Sequence, residues 1–338
     1  MVSTFPPQPC GVGEFAERLS AGYAAHGHEV LRFAETGLSG NEAPANAIGL
    51  YNRHMYSPTS LAKDIQNAQP DLVEFQHEFG MWPDNDRFET LLNALTIPTF
   101  VTLHTVKRLG HVTLKKVLQE RTRGTFVQSN AMRAAWPFTT IARHPTPELH
   151  QVVNERSATP LFVTPGFISR SKALEVTLRA LARLPFAWRW IVAGKADMDY
   201  LGDLQTEVQR LGLSGAVRFV PEYLSHEKRS SLIAAADCVI LNGRVTFSID
   251  TPLSISGAAR DAIALSTPTV SPFLPIYDDL TPEIGYKFPP GDEIVMAEGL
   301  GSRFWEDANW CRMAQGSFDR LRGWTYARAA EFRLGQLK

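Results

Sequence analysis

Short apolar runs alternate along the chain with segments whose apolar residues recur at helical spacing. Met1–Thr4 reads as the tail of a strand, and Gly13 to Ala25 as a helix carrying Phe15, Leu19 and Tyr23 on one face. Gly27 closes that helix and Val30-Leu31-Arg32-Phe33 opens the next strand. Leu72–Phe75, Thr99–Leu103 and Thr125–Gln128 are further strands, each closed by polar residues. The polar stretch from His150 to Pro160 reads as an interdomain linker, after which the alternation restarts. Strands at Leu161–Val163, Trp190–Ala193, Val217–Val220, Cys238–Leu241 and Pro268–Val270 then alternate with helices. One helix runs from about Lys172 to Leu184, and another carries Leu204, Val208 and Leu211.

Strand–helix alternation with apolar strands predicts parallel sheets covered on both faces. The expected class is therefore α/β, with two Rossmann-like parallel-sheet domains at 1–150 and 151–304. The amphipathic stretch Trp305 to Leu337 is expected to pack back across the junction onto the first domain.

Composition adds boundaries to this picture. The 338 residues are 44% hydrophobic and 20% charged, ordinary for a globular chain, with a net charge of -1 that argues against nucleic acid as a partner. Cys10, Cys238 and Cys311 show no metal-ligand spacing, which fits a reduced, cytoplasmic protein. The first residues lack a signal-peptide pattern, and no apolar run approaches the ~18–20 residues needed to cross a bilayer.

In open α/β sheets, ligands bind beyond the C-terminal strand ends, so candidate chemistry is sought there. In the first half, Gly11 and Gly13 permit a tight turn into a helix whose free amides suit an anion. This is not a dinucleotide fingerprint, because Ala16 stands where the third glycine belongs. Gln76-His77-Glu78 after the strand ending at Phe75 suits a hydroxyl-rich ligand. His104, ending the next strand, either polarises an acceptor hydroxyl or satisfies loop carbonyls. The basic segment 107–123 is either a solvated helix face or a contact with anionic lipid or a lipid-linked acceptor.

In the second half, Gly166, Arg170 and Lys172 form a cationic loop that suits a diphosphate. Ser256 and Gly257 head a small-residue helix, where a phosphate can approach backbone amides. Asp261, one turn on, suits ribose hydroxyls; Asp250 and Arg244 precede it in reach of a sugar. Gly194, Pro221 and Tyr223 follow the neighbouring strands, the last two suiting a nucleobase.

The order of these motifs resembles the retaining glycosyltransferases of GT-B family four, which include bacterial polysaccharide and glycolipid mannosyl- and glucosyltransferases. The matching stretches are Thr4 through Phe15, Gly27–Val30, Gln76–Gly80, His104-Thr105, Gly166–Lys172 and Ser256–Ala262. The resemblance implies two Rossmann-like domains facing a central cleft, acceptor in the first and nucleotide-sugar donor in the second. It implies that Lys172 pairs with the donor diphosphate and that His104 lies near the transferred sugar. Gly11–Gly13 would lie close to the diphosphate, and Asp261 stands at the second glutamate of the Glu-x7-Glu signature. No metal or cofactor is implied.

Three positions depart from the pattern: Leu253 at the first signature glutamate, Phe167 at the loop arginine, and Ala173 at the glycine after the lysine. The expected activity is transfer of a hexose, with retention, from GDP-mannose or a UDP-sugar to a saccharide or glycolipid. The alternatives are a non-catalytic nucleotide-sugar-binding protein, or an epimerase or phosphorylase on the same architecture.

Overall fold

The computed structural model describes residues 1–36, 44, 46–147, 158–244, 252–282, 284–303, 313 and 324–337. The chain divides into two compact units, Met1–Pro145 with Ser248–Ile255 and Trp324–Lys338, and Thr146–Phe247 with Ser256–Gly323.

The first unit holds strands β1 (Val2–Ser3), β2 (Arg32–Glu35), β3 (Ala47–Tyr51), β4 (Val73–His77) and β5 (Thr99–Leu103), then β6 (Thr105–Val106), β7 (Gly124–Val127) and β8 (Thr140–Ile141). Its seven-stranded sheet runs β3-β2-β1-β4-β5-β7-β8, parallel throughout. All five positions of β4 and of β5 are buried, as a sheet covered on both faces requires.

Successive strand residues face opposite ways, and each face has its own cover. Val73, Phe75, Val101 and Leu103 pack with α2 (Pro58–Asn67), α3 (Asn85–Ala94) and α4 (Val112–Arg121). The other face lies under α1 (Gly11–Ala25) and the C-terminal helix, which follows α5 (Asn130–Ala135) and the helices of the second unit and is α11 (Tyr326–Gly335). These two helices approach closely: a Cβ on Gly22 would stand 2.5 Å from the Tyr326 carbonyl oxygen. Ser57, Asp84 and Thr325 each accept a backbone N–H and so fix the starts of α2, α3 and α11.

The second unit holds β9 (Leu161–Pro165), β10 (Arg189–Ala193), β11 (Val217–Val220) and β12 (Cys238–Ile240). After β13 (Leu253–Ser254), which belongs to the first unit, come β14 (Thr269–Pro272) and β15 (Gly285–Phe288). The parallel order is β11-β10-β9-β12-β14-β15. Cys238 and Ile240 face α6 (Leu174–Leu181) and α7 (Met198–Arg210), whereas Val239 and Leu241 face α8 (His226–Ala234) and α9 (Gly257–Ala264). A short α10 (Glu293–Glu298) packs on α6.

Several boundaries differ from the sequence reading. The first helix begins at Gly11 rather than Gly13. The helix expected from Lys172 is broken at Ala173, whose left-handed backbone (φ 47°, ψ 44°) separates a 3-10 turn at Arg170–Lys172 from α6. Residues 252–255 fall in the first unit and not in a domain running through 151–304, because β13 pairs antiparallel with β6. Most of the expected linker, and all but residues 313 and 324–337 of the 305–338 stretch, lie outside the described residues.

Candidate functional site

The strand order of each sheet reverses once, between β1 and β4 in the first unit and between β9 and β12 in the second. Helices leave such a switch point on opposite faces, and the crevice between the diverging loops is where open α/β sheets take ligands.

At the second switch point the loop after β9 holds three of the predicted donor residues, Gly166, Arg170 and Lys172. Gly166 (φ 109°) turns the chain out of β9, and Gly194 (φ 155°) does so after β10. A Cβ on Gly194 would lie 2.1 Å from the Gly166 carbonyl oxygen, so the two loops touch backbone to backbone. The Gly166 and Ile168 amides donate to the Ala193 and Lys195 carbonyls. Gly194 is thus a packing glycine that seats the Gly166 loop.

The 3-10 turn is clamped from several sides. Arg244, after β12, donates its backbone N–H to the Ser171 carbonyl at 2.9 Å and its Nε to the Arg170 carbonyl at 2.6 Å. Its Nη2 pairs with Glu175 at 2.7 Å, and Glu175 also accepts the Tyr200 hydroxyl, whose pKa burial pushes up. Tyr200 in turn accepts the Leu174 N–H, capping α6 in place of its own side chains. Asn242 donates to the Ala173 carbonyl and to Thr177 Oγ1 at 3.2 Å each. The turn before α6 is therefore built by β12, α6 and α7 together.

These contacts redistribute the predicted roles. Arg170 does not point its charge into the crevice: its guanidinium pairs with Asp203 and lies over the Tyr200 ring, 5.2 Å from the centroid. Arg244 is a clamp of the loop. Lys172 is half-buried and forms no ion pair among the described residues. Its ammonium is the cation this loop leaves available. Phe167, at the position of the family's arginine, is 46% exposed.

Ser256 caps α9 through the Ala259 N–H, and a Cβ on Gly257 would meet nothing within 4 Å, so there is open space beside this helix start. Lys172, in the turn that leads into α6, and Gly257, the first residue of α9, thus precede helices on opposite faces of the sheet, at the same C-terminal edge. Asp261 is placed differently from its predicted ribose contact. It is 4% exposed and pairs with Arg229 of α8 at 2.8 Å. Pro221 and Tyr223 follow β11, at that edge but on the outermost strand. Asp250 lies outside the described residues.

In the first unit Gly11 has open space where a side chain would be, and no side chain caps α1. Gly13 is instead a packing position, its Cβ site 3.1 Å from Thr4 Oγ1 and 3.3 Å from Phe5 Cα.

Gln76 and His77 are corrected: β4 runs two residues further than the sequence suggests, so both side chains are interior and neither can meet an acceptor. His77 packs against Phe79 and Phe88, and neither ring nitrogen finds a hydrogen-bond partner among the described residues. Burial depresses its pKa to about 3 and keeps it neutral. Glu78 accepts the Gly80 N–H and shapes the turn after β4.

His104 uses both ring nitrogens inside the protein. Nε2–H donates to Gln76 Oε1 at 2.8 Å, and Nδ1 accepts from Gln128 Nε2 at 3.3 Å. Burial, then His144 and Arg333, hold its pKa well below the ordinary value. The imidazole is a neutral strut between strand ends. Behind it, Gln76 Nε2 donates to Glu74 Oε1, which also accepts from Thr102.

Leu253, at the first signature glutamate, is 4% exposed in the core of the first unit and pairs with Val106. An apolar residue there fills a core instead of meeting sugar hydroxyls. Sequence reasoning missed Gln128 and Asn242, although Gln128 directly follows β7 and Asn242 stands two residues past β12, where the rule that found His104 applies. Arg229, Tyr200 and Glu175 lie on helices and gave no local signal.

Among the described residues no group of His, Cys, Asp and Glu is arranged to hold a metal ion. No protein-family model and no curated protein matches the sequence. Solved structures do. The structure of Anabaena HepE in complex with UDP and glucose is 13% identical with a TM-score of 0.75, matching 99% of this chain and 98% of that one. A glycosyltransferase from Rickettsia africae is 11% identical with a TM-score of 0.77, over 100% and 98% of the two chains. An α,α-trehalose-phosphate synthase (UDP-forming) from Burkholderia xenovorans, in complex with glucose-6-phosphate, is 11% identical with a TM-score of 0.75 over 100% and 99%. Together with two all-parallel sheets that each carry a switch point, these likenesses identify the architecture as the GT-B fold.

Proposed function

We propose that this chain is a glycosyltransferase that takes a hexose from a nucleoside diphosphate sugar and passes it, with retention, to a saccharide or glycolipid acceptor. The observation that carries the reading is Lys172: a half-buried cation without an ion-pair partner among the described residues, at the switch point of the second sheet. Every other predicted cation of the loop is committed to the protein, whereas this one is held in place by a clamped turn and left for a ligand. The N-terminus of α9, with open space beside Gly257, stands at the same edge.

Charge builds on the leaving diphosphate as the glycosidic bond breaks. A preorganised ammonium and helix amides stabilise that charge most in the transition state, without a metal. The sugar becomes oxocarbenium-like, and the acceptor hydroxyl attacks from the side the diphosphate leaves, passing its proton to the departing phosphate oxygen as the sugar–phosphate bond breaks. The acceptor is assigned to the first unit, at the loops after β1 and β4. The UDP and glucose in HepE, and the UDP-forming synthase, favour a UDP-sugar over GDP-mannose as donor.

Thermal shift with UDP, GDP and their sugars tests binding, because a ligand of the native state raises the melting temperature by mass action. Release of labelled sugar to an acceptor pool tests turnover. Lys172→Ala is expected to lower kcat/KM by about 10²–10³, the range for removing one transition-state donor. Undiminished turnover in that variant sinks the assignment.

One rival is favoured by specific observations: a nucleotide-sugar-binding protein without turnover. Leu253 is sequestered in a core, and His104 and Asp261 are paired within the protein. It predicts nucleotide-dependent stabilisation and no transfer to any acceptor.

A further inference from the structure

Among the described residues two phenylalanines are exposed, Phe167 after β9 and Phe273 after β14, and both stand at the C-terminal edge of the second sheet. Phe273 is the more open, at 61%. A single exposed ring is ordinary; its neighbours make this one specific.

Main chain holds the ring in place. Phe273 donates its N–H to the Phe288 carbonyl at 2.9 Å, and the Leu274 N–H bonds back to the Pro272 carbonyl at 2.9 Å. Leu274 joins this loop to the turn that carries Lys172. Its Cδ1 lies 3.0 Å, and the Ser171 carbonyl oxygen 3.7 Å, from the point where a Cβ on Gly243 would stand. The Tyr277 hydroxyl donates to the Asn242 carbonyl at 2.9 Å, and Asn242 in turn holds Ala173. β14 lies two strands from β9, about 10 Å away at ~4.8 Å per spacing, a separation on the scale of a diphosphate and one pyranose ring.

Lys287, on β15, reaches over that ring, its ammonium 5.7 Å from the centroid. Lys172 and Lys287 are the half-buried lysines of the described second unit, and neither forms an ion pair among the described residues. One N–H of the Lys287 ammonium donates to the Tyr277 carbonyl at 3.0 Å. Burial lowers its pKa to about 8, against a smaller opposing pull from Asp278. At neutral pH it is therefore charged and poorly solvated, the state in which an arriving anion gains most.

We infer that the sugar of the donor carries a carboxylate, which pairs with Lys287 while the C–H face of the pyranose lies against Phe273. The inference rests on the donor reading above and narrows the hexose to a hexuronic acid. A neutral hydroxyl would leave the charge of the ammonium uncompensated. A phosphate dianion would ask for a second cation. Arg170, Arg244, Arg229 and Arg260, in these loops and in the helices that leave them, are each paired with a carboxylate already. One ammonium matches one carboxylate. The ring completes the match, because the C–H bonds of a pyranose meet the negative face of an aromatic side chain.

The test is calorimetric titration of the full chain with UDP, UDP-glucose and UDP-glucuronate, and with GDP, GDP-mannose and GDP-mannuronate. The nucleotide that binds is expected to bind about ten- to hundredfold more tightly as its hexuronate than as its hexose, the range for a hydrogen bond between charged groups. Lys287→Met keeps the apolar stem and removes the charge, so it should erase that preference and leave the Kd of the nucleoside diphosphate unchanged. Phe273→Ala should weaken hexose and hexuronate donors alike, by about two- to tenfold, and spare the nucleoside diphosphate. Equal affinity of the wild-type chain for hexose and hexuronate overturns the inference and leaves the donor reading standing. So does a preference that survives Lys287→Met. If neither UDP nor GDP nor any of their sugars binds, the donor reading falls and the inference with it. The wild-type comparison needs no variant, so it decides even if Lys287→Met fails to fold.

Discussion

Gly194 and Gly166 touch backbone to backbone: a Cβ added to Gly194 would lie 2.1 Å from the Gly166 carbonyl oxygen. This contact seats the loop that leads to Lys172 on the end of β10. The obstacle is main chain and cannot swing aside, and φ of 155° is itself unfavourable for any residue with a side chain. Gly194→Ala is expected to lower stability by about 2–4 kcal/mol, combining backbone strain with overpacking. Gly257→Ala, with nothing within 4 Å, is the control expected to stay close to wild type in urea denaturation. A Gly194→Ala midpoint equal to that of Gly257→Ala would refute the packing argument.

Ala173 makes a second backbone prediction. The family has glycine there, and the left-handed φ of 47° explains why. Glycine would relieve about 1–2 kcal/mol of left-handed strain. It would lose the buried methyl, about 0.8 kcal/mol, and cost about 0.5–1 kcal/mol in chain entropy. The two sides nearly cancel, so alanine is tolerated and Ala173→Gly should change the unfolding free energy by less than about 1 kcal/mol. Ala173→Val should be strongly destabilising, because a β-branched residue fits this region poorly.

The division of labour among the loop cations is testable by kinetics. Arg170 is exposed and engaged with Asp203 and the Tyr200 ring, whereas Lys172 has no ion-pair partner among the described residues. Arg170→Ala should therefore reduce kcat/KM less than about tenfold, against about 10²–10³ for Lys172→Ala. The reverse order would return Arg170 to the diphosphate.

Acid should weaken the fold through its buried histidines. The folded-state pKa of His77 is about 3, against 6.5 for the exposed side chain, and that of His104 is also depressed. Between pH 6.5 and about 3 the unfolded chain binds a proton that the folded chain refuses. Stability therefore falls as pH falls, by about 1.4 kcal/mol per pH unit for each histidine fully in this window. Above pH 6.5 neither contributes a slope. His77→Leu removes one of them together with its unpartnered ring nitrogens, so its stability should fall less steeply with acid. An unchanged acid limb in that variant would show that His77 is protonated in the native state.

Much of this fold was legible because each strand and helix carries its own periodicity. The alternation of runs such as Thr99–Leu103 and Trp190–Ala193 with amphipathic segments announces two parallel sheets, and the motif order supplies the architecture. What escaped was set by contacts distant in sequence. Nothing around Leu253 says that it pairs with Val106, nearly half the chain away. Gln76 and His77 were misplaced because polar residues usually mark a strand's end, whereas β4 runs through both and buries them on opposite faces. The partners that changed the reading of the donor side, Asp203 for Arg170 and Arg229 for Asp261, approach from helices whose docking no local pattern encodes.

The buried polar layer behind His104 supports the last prediction. Glu74 accepts hydrogen bonds from Tyr23, Gln76 and Thr102, and the Arg333 guanidinium lies 3.3 Å away. Arg333 is fully buried between the Phe15 and Phe126 rings, and its Nε and Nη2 make no hydrogen bond among the described residues. Removing one member of a buried pair leaves the other uncompensated, so Arg333→Ala should cost about 3–5 kcal/mol and loosen α11 from α1. An apolar replacement of both charges avoids that penalty. Glu74→Gln with Arg333→Met should recover most of the loss, because the amide oxygen still accepts from Thr102 and Gln76, the amide NH2 can donate to the Tyr23 hydroxyl, and methionine fills the space between the rings. Urea denaturation of the single and double variants measures the coupling. If the double variant is as unstable as Arg333→Ala, the cost lies in lost packing of the guanidinium stem and not in the orphaned charge of Glu74.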